Sequence, residues 1–169
     1  MVEVLEAVMR PGDRFAGLTS ATGSAGTIAS GDYLKQRFPT SKIVAGEAVQ
    51  CPTMLANGFG EHRIEGIGDK HIPWIHNVRN TDLAMGIDDE ASVDVFRLFN
   101  EDAGREYLSV QGVDSGFLDQ LDLLGISCVA NMLMAIKFAK WFEMDSHDVI
   151  VTVATDSREM YESRLVELR

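Results

Sequence analysis

The feature that most constrains the fold of this 169-residue chain is a run of small residues between a predicted strand and a predicted helix. The run is TGSAGT at 22–27; the apolar segment 15–18 precedes it, and helical spacing continues over 27–38. A second apolar run at 42–47 predicts another strand. Two strands joined by a helical crossover of this length favour a parallel pair. The sequence therefore predicts an α/β architecture.

The same loop is suited to binding a phosphate. Small residues let a ligand approach the backbone closely. Successive backbone N–H groups can converge on one anion, and the start of a helix adds partial positive charge. The hydroxyls of Ser24 and Thr27 can add two donors. The loop has neither the Walker A nor the G-x-G-x-x-G spacing, so a plain turn with these hydroxyls as helix caps is the alternative.

The remaining segments complete the prediction of a single three-layer αβα domain over 1–169 with a mostly parallel sheet. A β-branched run at 148–153 predicts a buried parallel strand. Residues 51–80 are rich in Gly, Pro and His and predict a long functional loop. Helices are expected where apolar residues follow helical spacing, at 2–9, 89–107, 117–123 and 127–142, the last with Met132, Leu133, Ile136 and Ala139 on one face.

Composition excludes several classes of partner. A net charge of -11 and a pI of about 4.7 argue against nucleic acid and against an anionic membrane. No apolar run approaches the roughly 20 residues that span a bilayer, and acids stand where a signal peptide carries bases. We therefore expect a cytoplasmic protein. Cys51 and Cys128 form no C-x-x-C pair and are expected to be reduced and buried.

The predicted long loop at 51–80 also carries acids and histidines that invite a metal hypothesis. Their spacing matches no His-x-x-x-His or zinc-ribbon pattern, so we predict no metal site and expect the histidines to be surface residues. The residues concerned are His62, Glu65, Asp69, His71 and His76.

Four separated segments resemble one family, in the order in which that family carries them. TGSAGT at 22–27 resembles the T-G-T-G-G-T loop of fold-type II pyridoxal-phosphate enzymes. Residues 61–73 are similar to the H-x-I-x-G-I-G-x-x-x-I-P segment of cysteine synthases. GISC at 125–128 resembles their G-I-S-S helix start, and 151–163 resembles their closing strand with P-D-S-G-E-R-Y-x-S. The chain thus resembles the C-terminal part of an enzyme of the cysteine synthase and tryptophan synthase β family.

This resemblance implies a role for each matched residue. Backbone N–H groups of the loop would hold the phosphate of pyridoxal 5'-phosphate, and Ser127 would meet its pyridine nitrogen. Thr155 stands beside the pyridine edge, where the family usually has proline. The substrate's reacting carbons would lie beside Gly66, Ile67 and Gly68. The expected cofactor-binding residues are Thr22, Gly23, Ser24, Ala25, Gly26, Thr27, Ser127 and Thr155.

Three local expectations accompany these roles. Ala25 replaces a family glycine and fits only if its φ is negative. Ser127 is expected to be the N-cap of the helix it opens, instead of or in addition to its cofactor role. Asp156 and Ser157 are expected to cap a helix over 158–165.

The implied reaction is β-replacement on an amino acid with a leaving group at Cβ, above all cysteine synthesis from an activated serine and sulfide. The alternatives are a threonine or serine dehydratase-like ammonia-lyase and a non-catalytic phosphate-binding module. The family holds its cofactor as a Schiff base to a lysine in the N-terminal half, and no lysine here lies in such a motif. We therefore expect an incomplete, inactive enzyme without catalytic residues of its own. It would need an N-terminal half or partner subunit and would form homo-oligomers through an exposed apolar face.

Overall fold

The computed structural model describes residues 1–168, which form a four-stranded parallel sheet. The strands are β1 (Arg14–Ala21), β2 (Lys42–Ala48), β3 (Leu83–Ile87) and β4 (Asp148–Val151). Their order across the sheet is β3-β2-β1-β4, and every neighbouring pair is parallel. In the register, Leu18 of β1 lies opposite Ile43 of β2 and Val151 of β4. The predicted α/β fold and the predicted β1–β2 pair are confirmed.

Helices connect the strands and cover the sheet. In chain order they are α1 (Val2–Val8), α2 (Ser30–Arg37), α3 (Thr53–Ala56), α4 (Asp89–Asn100), α5 (Asp102–Val110), α6 (Ser115–Leu118), α7 (Ile126–Trp141) and α8 (Glu162–Glu167). Two short 3₁₀ helices, Leu121–Leu123 and Arg158–Tyr161, precede α7 and α8.

Apolar side chains alternate between the two faces of the sheet. Ile43 and Ala45 of β2 pack in a core cluster with Leu5 of α1 and Leu34 of α2. Val44, between them, packs on the opposite face in a cluster that contains Met134 and Phe138 of α7. A strand that is buried on both faces requires helices on both sides of the sheet. The predicted three-layer αβα arrangement is therefore confirmed.

Several predicted elements differ in extent. The strand β3 was not predicted, because LAMGI at 83–87 is short and lacks a β-branched run. The predicted helix 89–107 is two helices, since Glu101 is extended with φ -91° and ψ 146°. The predicted buried strand 148–153 ends at Val151 and is half-buried, because β4 is the edge of the sheet.

The helix α7 buries a different face from the one predicted. Ala130, Met134 and Phe138 are buried, whereas Ile136 is 46% exposed. Because apolar residues occur around the whole helix, their spacing does not mark the side that meets the sheet. Within residues 1–168 no single helix is long and apolar enough to cross a bilayer, and only the bent pair Ser115–Leu123 with Ile126–Trp141, which meet at 115°, reaches the required length together.

The loop 51–80 is anchored to the fold by a buried histidine. His76 is 7% exposed, and its Nε2 lies 2.8 Å from Thr81 Oγ1. Nearby, Asp32 of α2 accepts a hydrogen bond from Asn80 Nδ2 at 2.6 Å. The expectation that the loop histidines are surface residues is therefore wrong for His76.

Burial of His76 predicts a loss of stability in mild acid. Burial lowers the pKa of His76, and the carboxylate of Asp32 opposes that shift in part. The unfolded chain, with a histidine pKa of about 6.5, takes up the proton first as the pH falls. His76 therefore contributes fully to the free energy of unfolding above about pH 6.5. This contribution is lost as the pH falls from there through the lower pKa of the folded state.

Urea unfolding across this pH range measures the effect. We expect His76→Gln to flatten the fall in unfolding free energy below about pH 6.5. The matched change His71→Gln, at an exposed ring in the same loop, should keep the wild-type dependence. Identical pH profiles for the wild type and His76→Gln would contradict the assignment.

Candidate functional site

A cleft of about 100 Å³ lies at the carboxyl ends of β1 and β4. The chain leaves β1 towards β2 on one side, whereas β4 joins β1 from the other side. In parallel sheets, such a point of reversal is where ligands bind. The cleft is lined by Ser20, Ala21, Gly23, Ser24, Ala25, Gly26, Thr27, Gly66, Ile67, Ser127, Asn131, Val153 and Thr155. The fold thus brings together all the predicted cofactor and substrate residues except Thr22 and Gly68.

The loop presents an unbroken series of free backbone donors. Within the described residues, the N–H groups from Gly23 to Ile28 donate to no protein acceptor. The flanking N–H groups are paired, that of Thr22 with Gly46 O at 2.8 Å and that of Ala29 with Ala25 O at 3.0 Å. Buried backbone donors in folded proteins are nearly always paired with protein groups or ordered water, and in this series Ala25 and Ile28 are buried. A series of free N–H groups in a turn that leads into a helix is suited to binding an anion.

The two hydroxyls of the loop do not cap a helix. The helix α2 begins at Ser30, three residues later than predicted, and its N-cap, Ala29, makes no side-chain cap bond. Turns precede it, in which Ser30 Oγ donates to Thr27 O at 2.7 Å. The helix-cap alternative for Ser24 and Thr27 is therefore wrong, and both side chains are free to donate within the cleft.

Ala25 adopts a left-handed backbone conformation, contrary to the negative φ expected from the sequence. Its φ is +64°, in the left-handed region, and its methyl group is buried in the cluster beneath α1 and α2. Left-handed residues within a turn are part of the backbone concavities that bind anions. The requirement for a negative φ at Ala25 is therefore wrong, and the family glycine that it replaces would suit this position better.

The strain at Ala25 predicts an unusual result for a glycine substitution. Ala25→Gly removes a left-handed cost of about 1–2 kcal/mol and forfeits the burial of one methyl group, about 0.8 kcal/mol. We expect the free energy of unfolding to stay the same or rise by up to about 1 kcal/mol. Ala29→Gly, four residues away at a right-handed φ of -61°, should lower it by about 0.5–1 kcal/mol. If urea unfolding showed that Ala25→Gly and Ala29→Gly lower the free energy of unfolding equally, the backbone strain at Ala25 would be contradicted.

Thr22 joins three segments. Its hydroxyl donates to Gly46 O at 3.0 Å, in addition to the bond that its N–H makes to the same carbonyl. Its own carbonyl accepts the N–H of Gly68 at 2.8 Å. With its donors occupied within the protein, Thr22 holds the loop against β2 and the segment 66–68, and its predicted part in cofactor binding stays a prediction.

The predicted substrate loop packs directly against the phosphate loop. Gly66 and Gly68 have φ of +80° and +86°. A Cβ at Gly68 would lie 2.3 Å from His62 Nε2, and one at Gly23 would lie 3.3 Å from Gly66 O. Close approach therefore favours glycine at 23 and 68, whereas Gly66 is favoured by its left-handed backbone alone. Of the predicted substrate residues, Gly66 and Ile67 border the cleft.

An aspartate at the start of α4 anchors the same segment. Asp89 is 4% exposed, and its carboxylate accepts the N–H groups of Arg63 at 2.6 Å and Ile64 at 3.4 Å. Bonds to Asp89 precede the segment 66–68, and the bond from the N–H of Gly68 to Thr22 O ends it. The segment is held in place on both sides.

The start of α7 supplies the other side of the cleft. Gly125, not Ser127, is the N-cap of this helix, so the expected capping role of Ser127 is wrong. Ser127 is 5% exposed, and its Oγ lies 2.9 Å from Thr155 Oγ1. Both hydroxyls line the cleft. This is where the resemblance places the partner of the pyridine nitrogen.

Asn131 is a cleft residue that the sequence reasoning missed. Its Oδ1 accepts the N–H of Ala21 at 2.7 Å, and its Nδ2 donates to Val153 O at 2.8 Å. It therefore joins the end of β1 to the segment that follows β4. The sequence did contain a signal for this role. Asn131 lies one helical turn after Ser127 on an apolar helix, and a buried amide is seldom without a hydrogen-bond partner.

Asp156 turns towards α7 rather than capping the helix that follows it. Its carboxylate accepts hydrogen bonds from Ser127 Oγ at 3.3 Å, from Cys128 Sγ at 3.2 Å and from the Tyr161 hydroxyl. Burial raises the pKa of Tyr161, and the Asp156 carboxylate raises it further. The predicted capping role is therefore wrong for Asp156, whereas Ser157 does stand at the N-cap of the 3₁₀ helix Arg158–Tyr161, although its side chain makes no cap bond.

The two cysteines are buried and free, as the sequence predicts. Cys51 and Cys128 are both buried and not joined in a disulfide. Among residues 1–168, no three His, Cys, Asp or Glu side chains lie close enough together to hold a metal ion.

Curated relatives of this chain are cysteine synthases. It is 29% identical to cysteine synthase B of Campylobacter jejuni over 140 residues, which are 82% of this chain and 40% of the relative. It is 26% identical to the cysteine synthase of Staphylococcus aureus over 143 residues, 84% of this chain and again 40% of the relative. No protein-family model matches the chain.

Solved structures give the same result for the fold. A cysteine synthase from Entamoeba histolytica superimposes with a TM-score of 0.75 at 22% identity, covering 99% of this chain and 44% of the solved one. The predicted resemblance to fold-type II pyridoxal-phosphate enzymes is confirmed. The chain spans about 40% of the length of the curated relatives it matches.

Proposed function

We propose that this chain forms the phosphate and ring-nitrogen side of a pyridoxal 5'-phosphate site in an enzyme of the cysteine synthase type. The observation that supports this proposal is the cleft itself. Gly23 to Thr27, whose N–H groups donate to no protein acceptor within the described residues, and Ser127 all line one small cleft at the end of β1.

The residues present fit the cofactor. Ser24 and Thr27 add hydroxyl donors to the free N–H groups, and among the described residues no acidic side chain lines the cleft to oppose a phosphate. Backbone dipoles and the start of α2 would balance the charge without a basic side chain. Ser127 and Thr155 would face the ring edge, and Gly66 and Ile67 would border the substrate. When bound, pyridoxal phosphate supplies an electron sink for amino-acid chemistry.

The reaction we propose for the complete enzyme is β-replacement, with an activated serine and sulfide giving cysteine. The curated relatives, which are cysteine synthases, favour this over a threonine or serine dehydratase-like reaction. We place the enzyme in the cytoplasm, a compartment that suits the free thiols of Cys51 and Cys128.

The cofactor lysine would come from outside this chain. No lysine lines the cleft formed by the described residues. Lys35 pairs with Asp82 at 2.7 Å, and Lys137 donates to Gly86 O at 2.6 Å. We therefore propose that a further segment or a partner subunit supplies the Schiff-base lysine, and that this chain alone is inactive.

An absorbance experiment tests this division of roles. We expect the purified chain to bind pyridoxal phosphate in competition with inorganic phosphate. After borohydride, intact mass should show no adduct fixed at a specific lysine. A visible band fixed by reduction at one lysine would show that the chain carries its own Schiff base. Failure of inorganic phosphate to compete would contradict the phosphate site.

A matched pair of variants locates the binding. Ser24→Ala removes one hydroxyl bond to a charged group, worth about 1.5–3 kcal/mol, so affinity should fall about tenfold or more. Ser109→Ala changes the same residue type at an exposed position of α5 and should bind as the wild type does. Equal affinities for both variants would place the phosphate elsewhere.

We also propose that the chain self-associates. Val4 and Val8 of α1 are 66% and 62% exposed, and they border an apolar groove of about 420 Å³ beside β4. The outer side of β4 has no neighbouring strand within residues 1–168, and unpaired strand edges favour association. Sedimentation at micromolar concentration should show oligomers, and Val8→Lys should shift them towards monomer. A monodisperse wild-type monomer would contradict the proposal.

A further inference from the structure

We propose that the outer face of α5 docks a basic, amphipathic helix of another protein. This surface, the α5 face, consists of Ala103, Tyr107 and Val110 together with the acids Asp102 and Glu106 beside them. None of the described cleft residues belongs to α5. The inference therefore goes beyond the proposed function and does not depend on it.

The helix α5 turns large apolar side chains towards solvent. Tyr107 and Val110 are 56% and 77% exposed, and none of the nine residues of the helix is buried. An ordinary surface helix directs its apolar stripe at the core. Because the apolar stripe of α5 is not used by its own domain, it has the character of an interaction site.

Contacts on the opposite side of α5 fix which face points outward. A Cβ at Gly104 would lie 2.3 Å from Leu98 O, so the backbone of α5 lies directly against the end of α4. Arg105 Nη2 donates to Asp119 Oδ1 at 3.2 Å and so ties α5 to the residue that follows α6. The side of α5 that carries Tyr107 and Val110 is thereby left free.

Two stripes run side by side along this free side. Residues three and four positions apart are neighbours on a helix, so Ala103, Tyr107 and Val110 form an apolar stripe. Asp102 and Glu106, also four positions apart, form an acidic stripe next to it. A partner helix whose apolar and charged residues recur at the same spacing would meet both stripes at once.

Charge decides between the possible occupants. The segment 102–119 holds four acids and one base, and that base, Arg105, is already paired with Asp119. A second copy carries the same acids and the same net charge of -11, so like charges oppose the pairing of two α5 faces. The complementary surface is therefore an apolar stripe flanked by Lys or Arg on a different protein.

Fluorescence anisotropy with a synthetic peptide tests the proposal. The probe is a labelled lysine–leucine peptide whose leucines recur at helical spacing. The control peptide has the same composition, with the leucines distributed around the helix. We expect the probe to bind about tenfold more tightly than the control peptide. Its binding should weaken as salt is added, because exposed charges are screened.

Matched variants locate the binding on the chain. Tyr107→Ala should weaken binding of the probe about tenfold or more, since a tyrosine at the centre of an interface is a frequent hot spot. Tyr33→Ala, at a tyrosine of α2 that is 62% exposed, should bind the probe as the wild type does. Glu106→Gln should reduce the salt dependence, whereas Glu162→Gln in α8 should not. All four positions are exposed, so the variants should keep the wild-type circular dichroism spectrum.

The contrary outcomes are distinct. If the probe does not bind, or if Tyr107→Ala and Tyr33→Ala bind it equally, the α5 face is not a docking site. If Tyr107→Ala leaves peptide binding unchanged but abolishes oligomers in sedimentation, the face pairs with a second copy, and the proposal of a basic partner is wrong. None of these results bears on the cofactor site, which is tested with phosphate ligands.

Discussion

Replacing Phe138 by alanine is expected to lower the free energy of unfolding by about 3–5 kcal/mol, the largest effect of any single truncation we propose. Phe138 is fully buried in the cluster between α7 and the sheet. Its ring meets Phe142 edge to face, with centroids 5.2 Å apart. The loss is large because it combines lost burial with a cavity that the parallel strands cannot close.

Trp141 on the same helix is the matched control. Its side chain is 73% exposed, so Trp141→Ala should change stability by less than about 0.5 kcal/mol. Urea unfolding followed by circular dichroism compares the two variants without relying on tryptophan fluorescence. Similar midpoints for both variants would show that α7 does not pack on the sheet as described.

Gly17→Ala is expected to destabilise the chain by about 3 kcal/mol or more, because it overpacks the centre of the sheet. A Cβ at this position would lie 2.2 Å from Lys42 O, a backbone atom of β2 that cannot move aside without disturbing the β1–β2 ladder. The same glycine follows the irregularity in the pairing of β1 with β4, between Phe15 and Gly17.

Gly26→Ala provides the control for this substitution. A Cβ at Gly26 meets nothing within 4 Å, so the added methyl should leave stability unchanged or raise it by about 0.4–1 kcal/mol through the unfolded state. Thermal or urea unfolding measures both variants. A Gly17→Ala chain as stable as the Gly26→Ala chain would contradict the close contact of β1 with β2.

Local sequence signals predicted the elements around the phosphate loop because each signal lies within a few residues. The apolar runs that became β1 and β2 and the small residues between them are contiguous. The start of the helix after the loop and the backbone conformation within the loop were less well predicted. The turns before α2 and the left-handed Ala25 depend on how the loop packs against α1 and the sheet. Tertiary packing decided these details against local propensity.

The parts of the site that sequence reasoning missed depend on long-range contacts. Asn131 joins Ala21 to Val153, and Asp156 meets Ser127, across separations that no local pattern reports. An aspartate two residues before a short helix has the pattern of a cap. Its true partner could be identified only once the segment after β4 was placed beside the start of α7.

The most direct test of the central claim is a nuclear magnetic resonance titration of the isotopically labelled chain with inorganic phosphate and then with pyridoxine 5'-phosphate. The phosphate site predicts that the amide signals from Gly23 to Ile28 shift together and saturate with both ligands, and that Ser127 and Thr155 respond only to the second. Amides of this loop that stay unmoved, with shifts elsewhere or with none, would contradict it.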